Sequence, residues 1–152
     1  MIGTDVVAAG PVLALAVVVG LAAHEWTHAL VLRLVGIDHT VSYLPGRTDG
    51  IVGLLTCCPW AVVEPRPTGR EPAVHLRAAA LAPILLAVPV FAAGFGGAIP
   101  VDSPIAMAVA IGWLACAVPS PQDFSVVFYA HRLLEAETDA DPNATALGSR
   151  AD

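Results

Sequence analysis

The sequence predicts a polytopic α-helical membrane protein, with three transmembrane helices and a small β-hairpin or sheet inserted between helices one and two. Three observations predict this fold class. The chain has 152 residues, of which 57% are hydrophobic and only 13% charged, whereas a soluble domain is about half apolar and a quarter charged. Three long stretches carry no charged residue at all. A β-prone segment rich in turn residues separates the first stretch from the second.

The uncharged stretches set the positions of the three helices. About 20 apolar residues are needed for a helix to cross a hydrocarbon core of roughly 30 Å, and all three stretches meet or approach that length: Val6–Ala23, Ala78–Val101 and Ser103–Gln122. With their flanking residues they predict helices over about 5–36, 75–99 and 103–134. The first stretch could instead be a signal peptide, but no basic residue precedes it and the apolar pattern continues to Gly36.

The segment between the first two helices, residues 37–74, differs from them in composition. Turn-forming residues at Pro45–Gly50 separate short β-prone runs, which are Thr40–Leu44, Ile51–Thr56 and Trp60–Val63. We expect a hairpin or curved sheet lying at the membrane surface. The length of the chain suits one domain, which we place at 1–137, followed by a disordered acidic tail over 138–152.

The basic residues predict the orientation of the chain. Every arginine falls in or beside loop 37–74 or in the C-terminal part, while the N-terminus and the turn near Pro100–Asp102 carry acids only. Cytoplasmic loops of membrane proteins are enriched in basic residues. We therefore expect an integral protein of the cell membrane with its N-terminus outside and with loop 37–74 and the C-terminus in the cytoplasm. The formal net charge of -6 argues against a nucleic-acid partner.

The first helix contains an H-E-x-x-H motif at His24-Glu25-Trp26-Thr27-His28. Residues four apart share one face of a helix, so His24 and His28 can bind a single zinc ion. Glu25 is then placed beside the metal as a general base. Ionisable side chains inside an apolar span usually mark a functional site. The alternative is a polar patch near the interface in which the histidines bond to backbone or water.

A catalytic zinc ion usually has three protein ligands, and Asp123 is the first candidate for the third. At 1.5 Å per residue, His24 lies roughly 28 Å along helix one and Asp123 roughly 32 Å along helix three, both counted from the same side. Prolines at 119 and 121 should break helix three there and turn the carboxylate inward. Alternatively, Asp123 is a helix N-cap, a role that does not exclude the first. Weaker candidate ligands are His39, His75, His131, Cys57 and Cys58.

These motifs resemble the site-2 protease class of intramembrane zinc metalloproteases, and the small size resembles the small zincin-like membrane peptidases related to that class. The likeness covers roughly residues 5–135. It implies His24, His28 and Asp123 as zinc ligands and Glu25 as the catalytic base. The surroundings of Asp123 differ from the Leu-Asp-Gly of the class, because Gln122 precedes the aspartate and Phe124 follows it.

The resemblance implies a zinc-dependent intramembrane endopeptidase that hydrolyses membrane-associated proteins or peptides near the cytoplasmic face. A sheet edge within Ile51–Val63 could hold the substrate as an added strand. The expected partners are therefore a membrane protein or peptide substrate and the lipid bilayer, with Zn²⁺ as cofactor. Two alternatives remain, namely a non-proteolytic membrane scaffold with a structural metal site and a small metal carrier.

Overall fold

A computed structural model describes residues 3–43 and 61–140 of the chain. The elements in chain order are α1 (Thr4–Leu34), β1 (Asp38–Tyr43), β2 (Ala61–Arg66), α2 (Ala73–Leu81), a 3₁₀ segment (Ala82–Leu86), α3 (Ala87–Phe95), α4 (Pro104–Cys116) and α5 (Pro121–Ala140). Three helical stretches are long and apolar enough to span a membrane: Thr4–Leu34, Ala73–Phe95 and Pro104–Ala136. Together with the hairpin between the first two, they confirm the predicted fold class.

The end of α1 is set by a glycine. Gly36 has φ +76°, a conformation that costs a glycine little and other residues much more. The chain reverses there, so that the N–H of Ile37 donates to the carbonyl of Leu32 at 2.9 Å, as in a Schellman motif. Leu32 and Ile37 are each only 2% exposed, so the turn also brings two apolar side chains into the core.

The hairpin that follows α1 consists of β1 and β2. The strands pair antiparallel, from Asp38 opposite Arg66 to Tyr43 opposite Ala61, and both contact α1. The predicted β-prone run at 40–44 falls largely in β1, and the run at 60–63 overlaps the start of β2. The run at 51–56 lies outside the described residues. So does the part of the predicted acidic tail that follows the end of α5 at Ala140.

Prolines interrupt the second and third helical stretches. Pro83 has no N–H to donate to Ala79, and a 3₁₀ segment links α2 to α3 at that point. In the third stretch the chain leaves the helix after Cys116 and re-enters it at Pro121. The predicted break around residues 119 and 121 is therefore present. It divides the stretch into α4 and α5.

The helices pack in two regions. Along the first part of α1 the main partner is α4, and the two approach closely because both carry a glycine at the contact. A Cβ on Gly20 would lie 2.8 Å from Cys116 Sγ, and one on Gly112 would lie 3.0 Å from Ala16 Cβ. Beyond the contact between α1 and α4, helices α2 and α5 pack together around a buried cluster. Its members are Leu32, Ile37, Ala73, Leu76, Ala79, Ala130 and Leu134.

Candidate metal centre

The two histidines of the H-E-x-x-H motif lie on the inner face of α1. His24 is 6% exposed and His28 is 8% exposed, and they are the buried polar residues of the described chain. Leu32, one turn further on, shares this buried face. The four-residue spacing therefore places both imidazoles side by side in the interior, as the motif predicts.

Each histidine is held by a backbone carbonyl on a different helix. His24 Nδ1 lies 2.7 Å from the carbonyl oxygen of Cys116, and His28 Nδ1 lies 2.7 Å from that of Ala79. A carbonyl oxygen only accepts hydrogen bonds, so both Nδ1 atoms carry the proton and donate. In a neutral imidazole this leaves the lone pair on Nε2. Metal-binding histidines commonly have such a partner, which fixes the ring and the tautomer.

Both carbonyls lack their usual helical donor, because the helices are interrupted beside them. The usual helical donor to Ala79 would be the N–H of residue 83, which is a proline. Cys116 ends α4, and the N–H of Ser120, its usual donor, bonds to Asp123 instead. Both helix breaks therefore direct an acceptor toward the histidines.

Asp123 is positioned by a reciprocal pair of hydrogen bonds with Ser120. The Ser120 N–H donates to Asp123 Oδ2 at 2.6 Å, and the Asp123 N–H donates to Ser120 Oγ at 3.1 Å. This arrangement is a capping box with Asp123 in the place usually taken by Glu or Gln. The N-cap of α5 is thus Ser120, and Asp123 contributes to the cap while its carboxylate faces the histidines.

The three side chains converge on one point. The two Nε2 atoms are 3.1 Å apart. Asp123 Oδ2 lies 3.4 Å from His24 Nε2, and Asp123 Oδ1 lies 3.2 Å from His28 Nε2. With bonds of about 2.0 Å, ligands of a tetrahedral zinc ion lie about 3.3 Å from one another. The observed separations match that spacing, so the donor set fits a zinc ion.

The electrostatics of the cluster also favour a cation. Two imidazole lone pairs and a carboxylate face each other in a buried space, and none of these atoms is a donor when the histidines are neutral. A metal ion or bound protons would relieve the repulsion between them. His24, His28 and Asp123 are the group found among the described residues that could hold a metal ion. Nitrogen and carboxylate ligands suit several divalent metals.

Glu25 lies beside this cluster in a cavity of about 730 Å³. The same cavity is lined by His24, His28 and Asp123, and elsewhere mainly by apolar side chains of α1, α2 and β2. The Glu25 carboxylate is close enough to both histidines to interact with them electrostatically, and Val63 of β2 lines the same cavity. A carboxylate, a potential metal site and the edge of a strand thus share one pocket.

The weaker candidate ligands lie outside the cluster. His39 is in β1, where its ring contacts the carbonyl of Ile37. His75 lies near the start of α2, and His131 is exposed on α5. Cys57 and Cys58 lie outside the described residues. The described candidates therefore leave Asp123 as the third residue of the group.

Three features that position the cluster were not predicted from the sequence. Ser120 was missed, although its spacing to Asp123 is that of a capping box and could have signalled the role. The carbonyls of Cys116 and Ala79 have no sequence signature, because any residue supplies a carbonyl. Pro83 offered an indirect signal, since a proline in a span frees the carbonyl four residues before it.

No known protein family, curated protein or solved structure matches this chain. The comparisons therefore identify no family. The chain has three helices that could span a membrane and a buried His24, His28 and Asp123 group that could hold a metal ion.

Proposed function

We propose that this protein is a zinc-dependent intramembrane endopeptidase of the site-2 protease type, acting on membrane-associated substrates near the cytoplasmic face. The observation that carries the proposal is the convergence of both Nε2 atoms and the Asp123 carboxylate at zinc-like spacing, with Glu25 in the same cavity. A structural metal site needs no additional carboxylate beside it, whereas hydrolysis needs a general base.

In this proposal the ion is held by His24, His28 and Asp123. When bound, zinc supplies Lewis-acid activation of water and of a peptide carbonyl. Glu25 removes a proton from the attacking water as the water oxygen bonds to the carbonyl carbon. It then gives that proton to the amide nitrogen as the carbon–nitrogen bond breaks. The two backbone carbonyls keep the histidine rings in the tautomer that presents Nε2 to the ion.

The hairpin gives a means of holding the substrate. A peptide must be extended for its scissile carbonyl to be reached, and an extended peptide can add to a free strand edge. Val62, Val63 and Pro65 of β2 line the cavity, and among the described residues β2 pairs with β1 alone. We propose that the substrate lies along β2. Of the predicted edge at 51–63, the portion before Ala61 falls outside the described residues.

The first test is the metal content of the detergent-purified protein, with Asp123→Ala beside wild type. We expect about one zinc per chain in wild type and a sharp loss in the variant, because two imidazoles alone make an incomplete site. Glu135→Ala, which removes an exposed carboxylate of α5 outside the cavity, is the matched control. A variant that retains zinc would remove Asp123 from the ligand set.

The second test separates catalysis from metal binding. Glu25→Gln should keep the zinc and lose cleavage of a mixture of synthetic single-span peptides, read by mass spectrometry. Glu135→Gln should keep both. Cleavage by Glu25→Gln at the wild-type rate would refute the mechanism. If wild type binds zinc but cleaves nothing, the alternative of a non-proteolytic membrane scaffold is favoured. If it transports zinc into proteoliposomes, the alternative of a small metal carrier is favoured.

A further inference from the structure

A second groove, distinct from the cavity of the metal centre, lies on the side of α1 that carries Trp26. It has a volume of about 450 Å³ and is lined by α1 from Ala23 to Arg33, by His39, and by Leu86 and Trp113 from the neighbouring segments. None of its lining residues belongs to the metal cluster or its cavity. His24 and His28 point to the interior, whereas Trp26 on the groove side is 64% exposed.

The groove is long enough to hold a lipid acyl chain. From Ala23 to Arg33 it follows α1 for about 15 Å at 1.5 Å per residue, which is half of a hydrocarbon core of roughly 30 Å. Arg33 lies in the last turn of α1, where a helix that crosses the core reaches the headgroups. Trp26 and Trp113 both line the groove.

The chemistry of the groove changes along its length. Its inner part is apolar, and the Trp113 indole is fixed there because its N–H donates to the Leu86 carbonyl at 2.8 Å. Its outer end carries Arg33, with His39 of β1 nearby. Arg33 is the one Asp, Glu, Lys or Arg side chain among the lining residues. A guanidinium binds phosphate oxygens in a bidentate manner.

We propose that this groove binds one anionic phospholipid, with its phosphate on Arg33 and an acyl chain along Trp26 and Trp113 toward Ala23. The charge at one end and the apolar length behind it match a lipid better than a free anion, which would leave the apolar part uncovered. This inference rests on the proposed membrane setting but not on the peptidase chemistry.

The test is native mass spectrometry of delipidated protein titrated with phosphatidylglycerol or phosphatidylcholine of identical acyl chains. Wild type should bind one phosphatidylglycerol about fivefold more tightly than phosphatidylcholine, the preference expected for one arginine near an anionic headgroup. Arg33→Gln should abolish the preference. The control is Arg132→Gln, which removes an arginine that lies over the Tyr129 ring, outside the groove, and should leave the preference unchanged.

Three kinds of outcome would overturn the proposal. The first is equal binding of the two lipids by wild type, or an unchanged preference in Arg33→Gln. The second is displacement of the lipid by millimolar glycerol 3-phosphate, which would indicate an anion site only. The third is a dimer whose mass shows no bound lipid, which would assign the groove to a second copy of the chain. Two measurements on the same protein keep the proposals distinguishable. Flotation with liposomes tests the membrane setting, and zinc content tests the metal site.

Discussion

The Asp123 carboxylate divides its oxygens between two tasks. Oδ2 accepts the Ser120 N–H at the start of α5 and lies 3.4 Å from His24, while Oδ1 faces His28 at 3.2 Å. The sequence offered ligand and cap as alternative roles for this residue. The N-cap is Ser120 and not Asp123, but the Asp123 carboxylate completes the capping box while it faces the histidines, and the backbone of α5 fixes its direction.

These two tasks should separate under mutation. In Asp123→Asn the amide oxygen still accepts the Ser120 N–H, but the anionic ligand is lost, so we expect metal affinity to fall roughly tenfold or more while the cap remains. In Ser120→Ala the backbone N–H still orients the carboxylate, but the hydroxyl acceptor is lost. That variant should keep its metal and lose about 1 kcal/mol of stability.

The measurements are a zinc competition titration and thermal unfolding in chelator, made on both variants and on wild type. Ser125→Ala is the matched control, because its hydroxyl donates to the Pro121 carbonyl on the exposed side of the same helix turn. A loss of zinc in Ser120→Ala as large as that in Asp123→Asn would show that the cap and the ligand act as one unit.

At the scale of elements, the metal centre depends on how closely α1 and α4 approach. Gly20 lies against Cys116, and the carbonyl of Cys116 accepts the hydrogen bond of His24. The last residue of α4 is therefore both a packing partner of α1 and a support for a candidate ligand. A change that separates these helices should disturb stability and the site together.

Gly20→Ala tests this coupling. The added Cβ would lie 2.8 Å from Cys116 Sγ and 2.9 Å from Cys116 Cβ, so the helices must shift. Overpacking of this kind typically costs about 1–3 kcal/mol. We expect a lower thermal midpoint and weaker zinc binding, since the Cys116 carbonyl moves with its helix. Gly10→Ala is the control, because its Cβ would meet nothing within 4 Å; equal effects of the two variants would contradict the coupling.

Different physical causes decide which elements could be predicted from the sequence. The three helices follow from local properties, namely length and absence of charge, and the break before α5 follows from Pro119 and Pro121. The pairing of His24 with His28 follows from helix periodicity. The carbonyls that hold these histidines depend on helix–helix packing, and any residue type could supply them. The second groove likewise arises only when Leu86 and Trp113 meet α1.

At the scale of the whole molecule, arginines of the described residues and the metal centre lie toward the same end of the helices. Arg33 lies in the last turn of α1, Arg66 ends β2 and Arg77 lies at the middle of α2. Arg77 also donates to the Val127 carbonyl of α5 at 3.0 Å. The opposite end, between α3 and α4, holds Asp102 and no arginine. The positive-inside rule therefore favours a metal centre near the cytoplasmic face.

This orientation predicts which positions a membrane-impermeant maleimide can reach in intact cells. In a background with Cys57, Cys58 and Cys116 changed to alanine, Asp102→Cys should be labelled from outside. Glu64→Cys, on the exposed side of β2, should be labelled only after the membrane is permeabilised. The two variants are controls for each other, because each replaces one exposed acid. Labelling of Glu64→Cys in intact cells, with Asp102→Cys protected, would invert the orientation and place the proposed peptidase site outside the cytoplasm.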